Sequence, residues 1–372
     1  MKMKVSTPSR ICMFGEHQDY LGLEVIAQAI DLRFYAEGED RNDKILNIKI
    51  GSRYFDKPNE KPYQWVEHVV DFSKELIYEN NRDYMKSIVN VLINNGYNLD
   101  HGYNISMMSD IPIGKGMCSS STMIVVLIKL LLELIDSKDK DNAEKIAYLG
   151  FLAEVKEFDE PGGMMDHYAS ALGGMVNLNF ENGETKVNKI SKKLPGKFIL
   201  FDSLRDKETT KVLATAKFPV VNGLKKLNKY GIQSIKDFIK NEENIKYLDE
   251  LLEEEKRNIL ANIDNYKILQ YAKKFIDSDE FSSKEFGKLI KRHHENLRDG
   301  LLISTKEIEE ILNTAYENGA LGGKVNGSGG GGCCYVYAMD EDCDRILKAV
   351  ESLGYPGIIV DSTNGVRRED EI

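Results

Sequence analysis

The stretch Ser109-Asp-Ile-Pro-Ile-Gly-Lys-Gly-Met-Cys-Ser-Ser-Ser-Thr-Met123, running directly into the apolar segment Ile124 to Ile135, decides how this chain is read. Ile105, Met107 and Ile111 alternate as in a strand, and Pro112 blocks further ladder pairing. Gly114 and Gly116 permit a sharp bend that delivers Ser119, Ser120, Ser121 and Thr122 to the first turn of a helix. Free backbone N–H groups, the positive end of the helix dipole, several hydroxyls and Lys115 then converge on one point, which suits a phosphate. An ordinary capped helix is the alternative, but a cap needs one serine, not three with two glycines and a lysine. The GxxxxGK spacing of the P-loop is absent.

Working outward, Lys4 to Phe14 reads as a strand entering the polar loop Gly15-Glu-His-Gln-Asp-Tyr-Leu-Gly22, whose side chains suit small polar groups. Val25 to Phe34 and Ile45 to Ile50 are further strand candidates, while Gln64 to Phe72 and Ser87 to Asn94 carry helical spacing. Asp141 to Phe158 is a helical segment bearing Glu154, broken at Pro161-Gly-Gly163. Met164 to Leu172 resumes as a short helix with Asp166 in its first turn, where a carboxylate is favoured. Met175 to Phe180 and Lys197 to Asp202 look like strands, with the domain boundary between them, giving domains 1–185 and 186–372. Lys217 to Lys274, Ser282 to Leu302 and Ser304 to Asn318 read as amphipathic helices. The second glycine cluster, Lys324-Val-Asn-Gly-Ser-Gly-Gly-Gly-Gly-Cys-Cys334, contains GxGxxG, but a β-like segment follows it where the dinucleotide motif requires a helix. A loop between two strands is expected, its glycines admitting a ligand or the first phosphate loop, with a plain tight turn as the alternative.

The 372 residues suit two domains, and 42% apolar with 30% charged residues is a globular balance. A formal charge of −10 argues against a nucleic-acid partner. Five cysteines without a CxxC pair fit a reducing cytosol, so a cytoplasmic protein is expected. No signal-peptide pattern opens the chain, and Met123 to Ile135, interrupted by Lys129 and Glu133, is too short for a membrane span. A monomer is expected.

Three blocks now stand in order: Pro8-Ser-Arg-Ile-Cys-Met-Phe-Gly-Glu-His-Gln-Asp-Tyr20, Pro112-Ile-Gly-Lys-Gly-Met-Cys-Ser-Ser-Ser121 and Gly323-Lys-Val-Asn-Gly-Ser-Gly-Gly-Gly-Gly-Cys333. Together they resemble the motifs of the GHMP kinases, and within that superfamily the galactokinases. Met164-Met-Asp166, Asp202-Ser-Leu-Arg-Asp206 and His294-Glu-Asn-Leu-Arg-Asp299 extend the resemblance over nearly the whole chain. It implies a two-domain α+β fold, with an N-terminal five-stranded mixed sheet, a ferredoxin-like C-terminal domain and the active site in the cleft between them.

The same resemblance implies an ATP-dependent sugar 1-kinase acting on galactose or a similar sugar. Gly114, Lys115, Gly116, Ser119, Ser120, Ser121, Gly329 and Gly330 would hold the ATP phosphates, and Ser120 and Glu154 would hold Mg²⁺. Asp166 would take the proton of the sugar hydroxyl beside Arg10, and Glu16, His17 and Asp19 would bind the sugar. Two departures fall near the acceptor: His167 replaces a glutamine, and no tyrosine occurs in Thr209 to Lys217. With Arg205, Lys207 or Lys211, His167 would suit an acidic substituent, making a uronic acid such as galacturonate the rival acceptor. A silent sugar sensor is disfavoured because Arg10, Glu154, Asp166 and the serines are all present, and a mevalonate or homoserine acceptor by Glu16-His-Gln-Asp19.

Overall fold

Burial alternates along Tyr103–Ser109, with Tyr103, Ile105 and Met107 inside and Asn104 and Ser106 outside, as expected of a strand with one face on a core. The computed structural model describes residues 3–53, 64–160, 162–181, 184–207 and 212–369. In it the first sheet has the path β1 (Met3–Phe14), β2 (Val25–Asp40), β5 (Tyr103–Ser109), β3 (Ile45–Ser52) and β4 (Gln64–Asp71). β3 and β5 run parallel and the other pairs antiparallel, so the expected five-stranded mixed sheet is present. It is widened by β6 (Met175–Glu181) on the free half of β2, by β7 (Glu184–Ile190) beyond it, and by β12 (Arg367–Arg368), which returns to pair with β1.

Gln64 to Phe72, expected as a helix, is instead the edge strand β4, in unbroken register with β3 from Ile45↔Asp71 to Ser52↔Gln64. Its Trp65, Val66 and Val69 are exposed, so their spacing marks neither a helical stripe nor one buried face, while β-branched residues favour the strand. The other early helix is as expected, α1 (Tyr84–Asn94).

One apolar core lies between this sheet and α2 (Ser119–Leu134), which is buried on nearly every side. Lys129 and Glu133, the two charges in its apolar run, pair with each other at 2.7 Å inside the protein. α3 (Ala143–Phe151) is capped by the Asn142 side chain and continues into a π-helical turn, Leu152–Lys156, that carries Glu154. α4 (Met165–Leu172) follows, while Pro161 of the intervening break lies outside the described residues.

The division expected after residue 185 falls within β7, and the chain crosses to the second sheet between 191 and 196. That sheet orders β11 (Gly357–Val360), β8 (Lys197–Asp202), β10 (Cys333–Ala338) and β9 (Gly322–Val325), all antiparallel. Numbered along the chain the order is fourth, first, third, second, which is ferredoxin-like. Helices Phe218–Leu227, Ile235–Lys240, Glu253–Ile276, Ser283–Glu295 and Lys306–Glu317 fill the connection from β8 to β9. Leu23, directly after the polar loop 15–22, packs into their core with Val220, Ile259 and Ile263, so the second half of the chain buttresses a loop of the first. No helix among the described residues is long and apolar enough to cross a membrane, and the five cysteines are buried free thiols.

Candidate active site

The loop expected to bind phosphate has the form its glycines imply. Gly114 and Gly116 take left-handed φ of 72° and 82°, and Cys118 follows at 49°, just before α2 opens at Ser119. No side chain caps that helix, so its first-turn N–H groups stay available to an anion. Ser9 of β1 steadies the loop by donating to the Met117 carbonyl at 2.8 Å.

The second glycine cluster is the expected loop between strands, β9 and β10, and it lies backbone to backbone on the first. Cys333 N donates to Lys115 O at 2.8 Å and Asn326 Nδ2 to Gly116 O at 3.2 Å. A Cβ on Gly327 would sit 2.5 Å from Gly116 O, and one on Gly332 2.5 Å from Lys115 O. Side chains there would prise the loops apart. Gly329 and Gly330, expected at the phosphates, face elsewhere: Gly330 N donates to Ile303 O at 2.8 Å, and a Cβ on Gly329 would meet that carbonyl at 2.6 Å. Lys115 also turns away from the helix end, its Nζ lying 3.2 Å from Asp206 Oδ1 and 3.7 Å from Asp202 Oδ1. The attraction of two carboxylates accounts for this placement.

Below the loop is a cavity of about 210 Å³ that brings together Arg10, Glu16, His17, Asp19, Ser120, Ser121, Glu154, Asp166 and His167. A larger hollow, about 660 Å³, lies at the opposite end of α2 around Tyr97, His101 and Asp136 and contains none of them. Arg10 is buried and reaches Asp166 Oδ1 twice, from Nε at 2.9 Å and Nη2 at 2.7 Å, while Nη1 donates to Gly116 O at 3.2 Å. Burial works against its charge, yet the neighbouring carboxylate of Asp166 more than compensates, and the guanidinium is held firmly protonated. Asp166 keeps an opening to the cavity.

On one side of this pair stands Glu154, accepting from Ser121 Oγ at 2.6 Å. Burial alone would raise its pKa, but His167, Ser120 and Ser121 lower it below the usual value. His167 Nε2 is 2.7 Å from Glu154 Oε2, off the direction of a straight hydrogen bond, and Nδ1 is buried without a partner among the described residues. His167 lines the same cavity as Asp166, with its Nε2 on the Glu154 side. Lys211 lies outside the described residues.

On the other side is the polar loop 15–22, expected to bind the acceptor. Glu16 Oε2 receives Lys324 Nζ at 2.6 Å. His17, with φ of 62°, bridges Tyr20 Oη and the Ser328 carbonyl, each at 2.9 Å. Burial lowers its pKa, so the neutral ring donates from Nε2 to the carbonyl and accepts from Tyr20 at Nδ1. Both ring nitrogens are then hydrogen-bonded, and His17 ties the loop 15–22 to the second glycine cluster at the cavity wall. Asp19 has its pKa pushed up to about 6 by burial and by nearby Asp166. Tyr20, Lys324 and Asn326 join the site without having been singled out in the sequence. Lys207, named there only as a partner for an acidic acceptor, is partly buried, its pKa lowered by burial against the opposing pull of Asp166.

Family models match the chain in two segments: the GHMP kinase N-terminal domain over residues 83–174, which holds the phosphate loop, Glu154 and Asp166, and the GHMP kinase C-terminal domain over 277–356, which holds the second glycine loop. The chain belongs to the GHMP kinases. As a GHMP kinase it is a phosphotransferase that uses ATP. It is 27% identical to a galactokinase of Fusobacterium nucleatum over 92% of this chain and 87% of that one. It is also 27% identical to a mevalonate kinase of Thermococcus onnurineus, over 100% and 99% of the two chains. The galactokinase of Lactococcus lactis, solved in complex with galactose, superposes with a TM-score of 0.78 at 21% identity over 98% of this chain and 95% of that one. Residues 15–22, with Glu16, His17 and Asp19, lie outside both matched segments.

Proposed function

We propose that this GHMP kinase transfers the γ-phosphoryl group of ATP to the anomeric hydroxyl of galactose or a galactose-like sugar. One observation carries the reading: Asp166, clamped by Arg10, opens onto the same cavity as Glu16, Asp19 and Tyr20, an acceptor wall made of hydrogen-bonding groups. Asp166 takes the hydroxyl proton as the sugar oxygen bonds to the γ-phosphorus and the bond to the β-phosphate bridging oxygen breaks, releasing ADP. Arg10 stays charged throughout, orienting the Asp166 carboxylate and balancing the oxygens of the group in transit.

The first-turn N–H groups of α2, with Ser119 and Ser120, are the phosphate grip. Mg²⁺ fits the donor set, because Glu154 and the Ser120 hydroxyl supply hard oxygens and Mg²⁺ takes few protein ligands beside phosphate oxygens. Its chemistry there is to neutralise phosphate charge. The buried free thiols support a cytosolic setting.

A uronic acid is the second reading, favoured by Lys207, a partly buried cation in the field of Asp166, Arg10 and Glu16. Mevalonate has a carboxylate and few hydroxyls, so the paired acids Glu16 and Asp19 suit it less. The test is product analysis after incubation with MgATP and galactose, reading phosphorus coupling to the anomeric proton. Phosphate on any other carbon, or no sugar phosphate at all, would overturn the assignment.

A further inference from the structure

Glu16 reaches the acceptor cavity only because something holds it there. It is 2% exposed, and its carboxylate meets Lys324, which is 0% exposed, across the junction of the two domains. Lys324 Nζ donates to Glu16 Oε2 at 2.6 Å, to Cys12 O at 2.9 Å and to Val325 O at 2.8 Å. An ammonium has three protons, and all three are used. The Tyr335 ring lies 5.4 Å from the same nitrogen, and Tyr335 Oη donates to Cys12 O at 2.9 Å, so aromatic and carbonyl groups fix the lysine from behind.

We infer that Lys324 is a positioning residue for the acceptor: it fastens one oxygen of Glu16 and aims the other at a hydroxyl of the sugar. The inference rests on the reading of Glu16 as an acceptor-binding group. Lys324 is not among the residues that line the cavity shared by Glu16, Asp19 and Asp166. Its effect passes through one carboxylate oxygen, and it ties β9 of the second sheet to the end of β1. A buried carboxylate deprived of this cationic contact is left unpaired and free to turn, and it no longer presents the same acceptor geometry. The pair also sets a domain contact within the site, so the acceptor cavity is completed only when β9 is docked on β1.

The experiment compares parent, Glu16→Gln, Lys324→Met and the double variant, measuring KM for the sugar, KM for ATP and kcat. Glu16→Gln is expected to raise the sugar KM about tenfold, the loss of one hydrogen bond to a charged group. Lys324→Met should raise it by a similar factor with the ATP KM unchanged, a split that general damage to the fold would not produce. In the double variant no buried charge is left alone, so folding is secured even if Lys324→Met alone does not accumulate, and its sugar KM should equal that of Glu16→Gln. A double variant about tenfold worse than Glu16→Gln would overturn the inference, because Lys324 would then act by another route. So would a normal sugar KM in Lys324→Met beside a raised one in Glu16→Gln. A normal sugar KM in Glu16→Gln overturns instead the reading beneath it, that Glu16 binds the acceptor.

Discussion

Asp19 is ionised at a cost to the fold, and replacing it should stabilise the protein while harming its acceptor affinity. Its carboxyl is pressed against the Gly163 backbone, where a Cβ would come within 1.9 Å of Oδ2, and it faces Asp166. Burial and that second carboxylate raise its pKa from 3.8 to about 6. The folded state therefore binds this proton more tightly than the unfolded chain does. The associated stability is fully present below 3.8 and is lost as pH rises through about 6. Two pK units correspond to about 3 kcal/mol, an upper bound because the cavity lets solvent reach the group. Asp19→Asn removes the titration and keeps an oxygen for the Tyr20 N–H, which now donates to Oδ1 at 2.8 Å. Urea unfolding of the ligand-free protein should show the Asp19→Asn variant more stable than the parent by about 1–3 kcal/mol near pH 8, the difference shrinking toward zero near pH 4. The sugar KM should rise in the same variant. Equal stability at both pH values, or a less stable variant near pH 8, would refute the account of Asp19 as a strained, functional carboxylate.

Asp166→Asn should lower kcat by about 10²- to 10⁴-fold with the ATP KM little changed, as measured by steady-state ADP release; a kcat within about threefold of the parent would remove Asp166 as proton acceptor. Gly116→Ala places a Cβ 2.6 Å from Asn326 O at a left-handed φ of 82°. It should cost about 2 kcal/mol or more in thermal unfolding and raise the ATP KM, whereas parental stability would show that the two glycine loops do not depend on their close approach.

Much of the site was legible because its signals are local. Gly114 and Gly116 before a serine-rich helix start state a backbone conformation and a row of free N–H groups within a few residues, and the structure has both. The second glycine cluster announced close approach in the same way. Gln64 to Phe72 has a helix-like pattern although it is an edge strand, because most of it is exposed on both faces, Val70 alone among its strand's apolar residues reaches the core, and Trp65, Val66 and Val69 imitate a helical stripe. What stayed hidden was pairing over long separations. Lys324 and Glu16 are 308 residues apart, and nothing near either one signals the other. The turning of Lys115 toward Asp202 and Asp206, and of His167 toward Glu154, likewise depends on which acids the fold brings near, a choice made by tertiary packing.

The central claim is that an acceptor wall of carboxylates and hydroxyls beside the Arg10–Asp166 pair selects a sugar, and its most direct test is kcat/KM for galactose, galacturonate and mevalonate with MgATP in one preparation. A sugar or uronic acid is expected to be turned over far faster than mevalonate, with the activity abolished in Asp166→Ala. Turnover of mevalonate with none on either sugar would contradict the account.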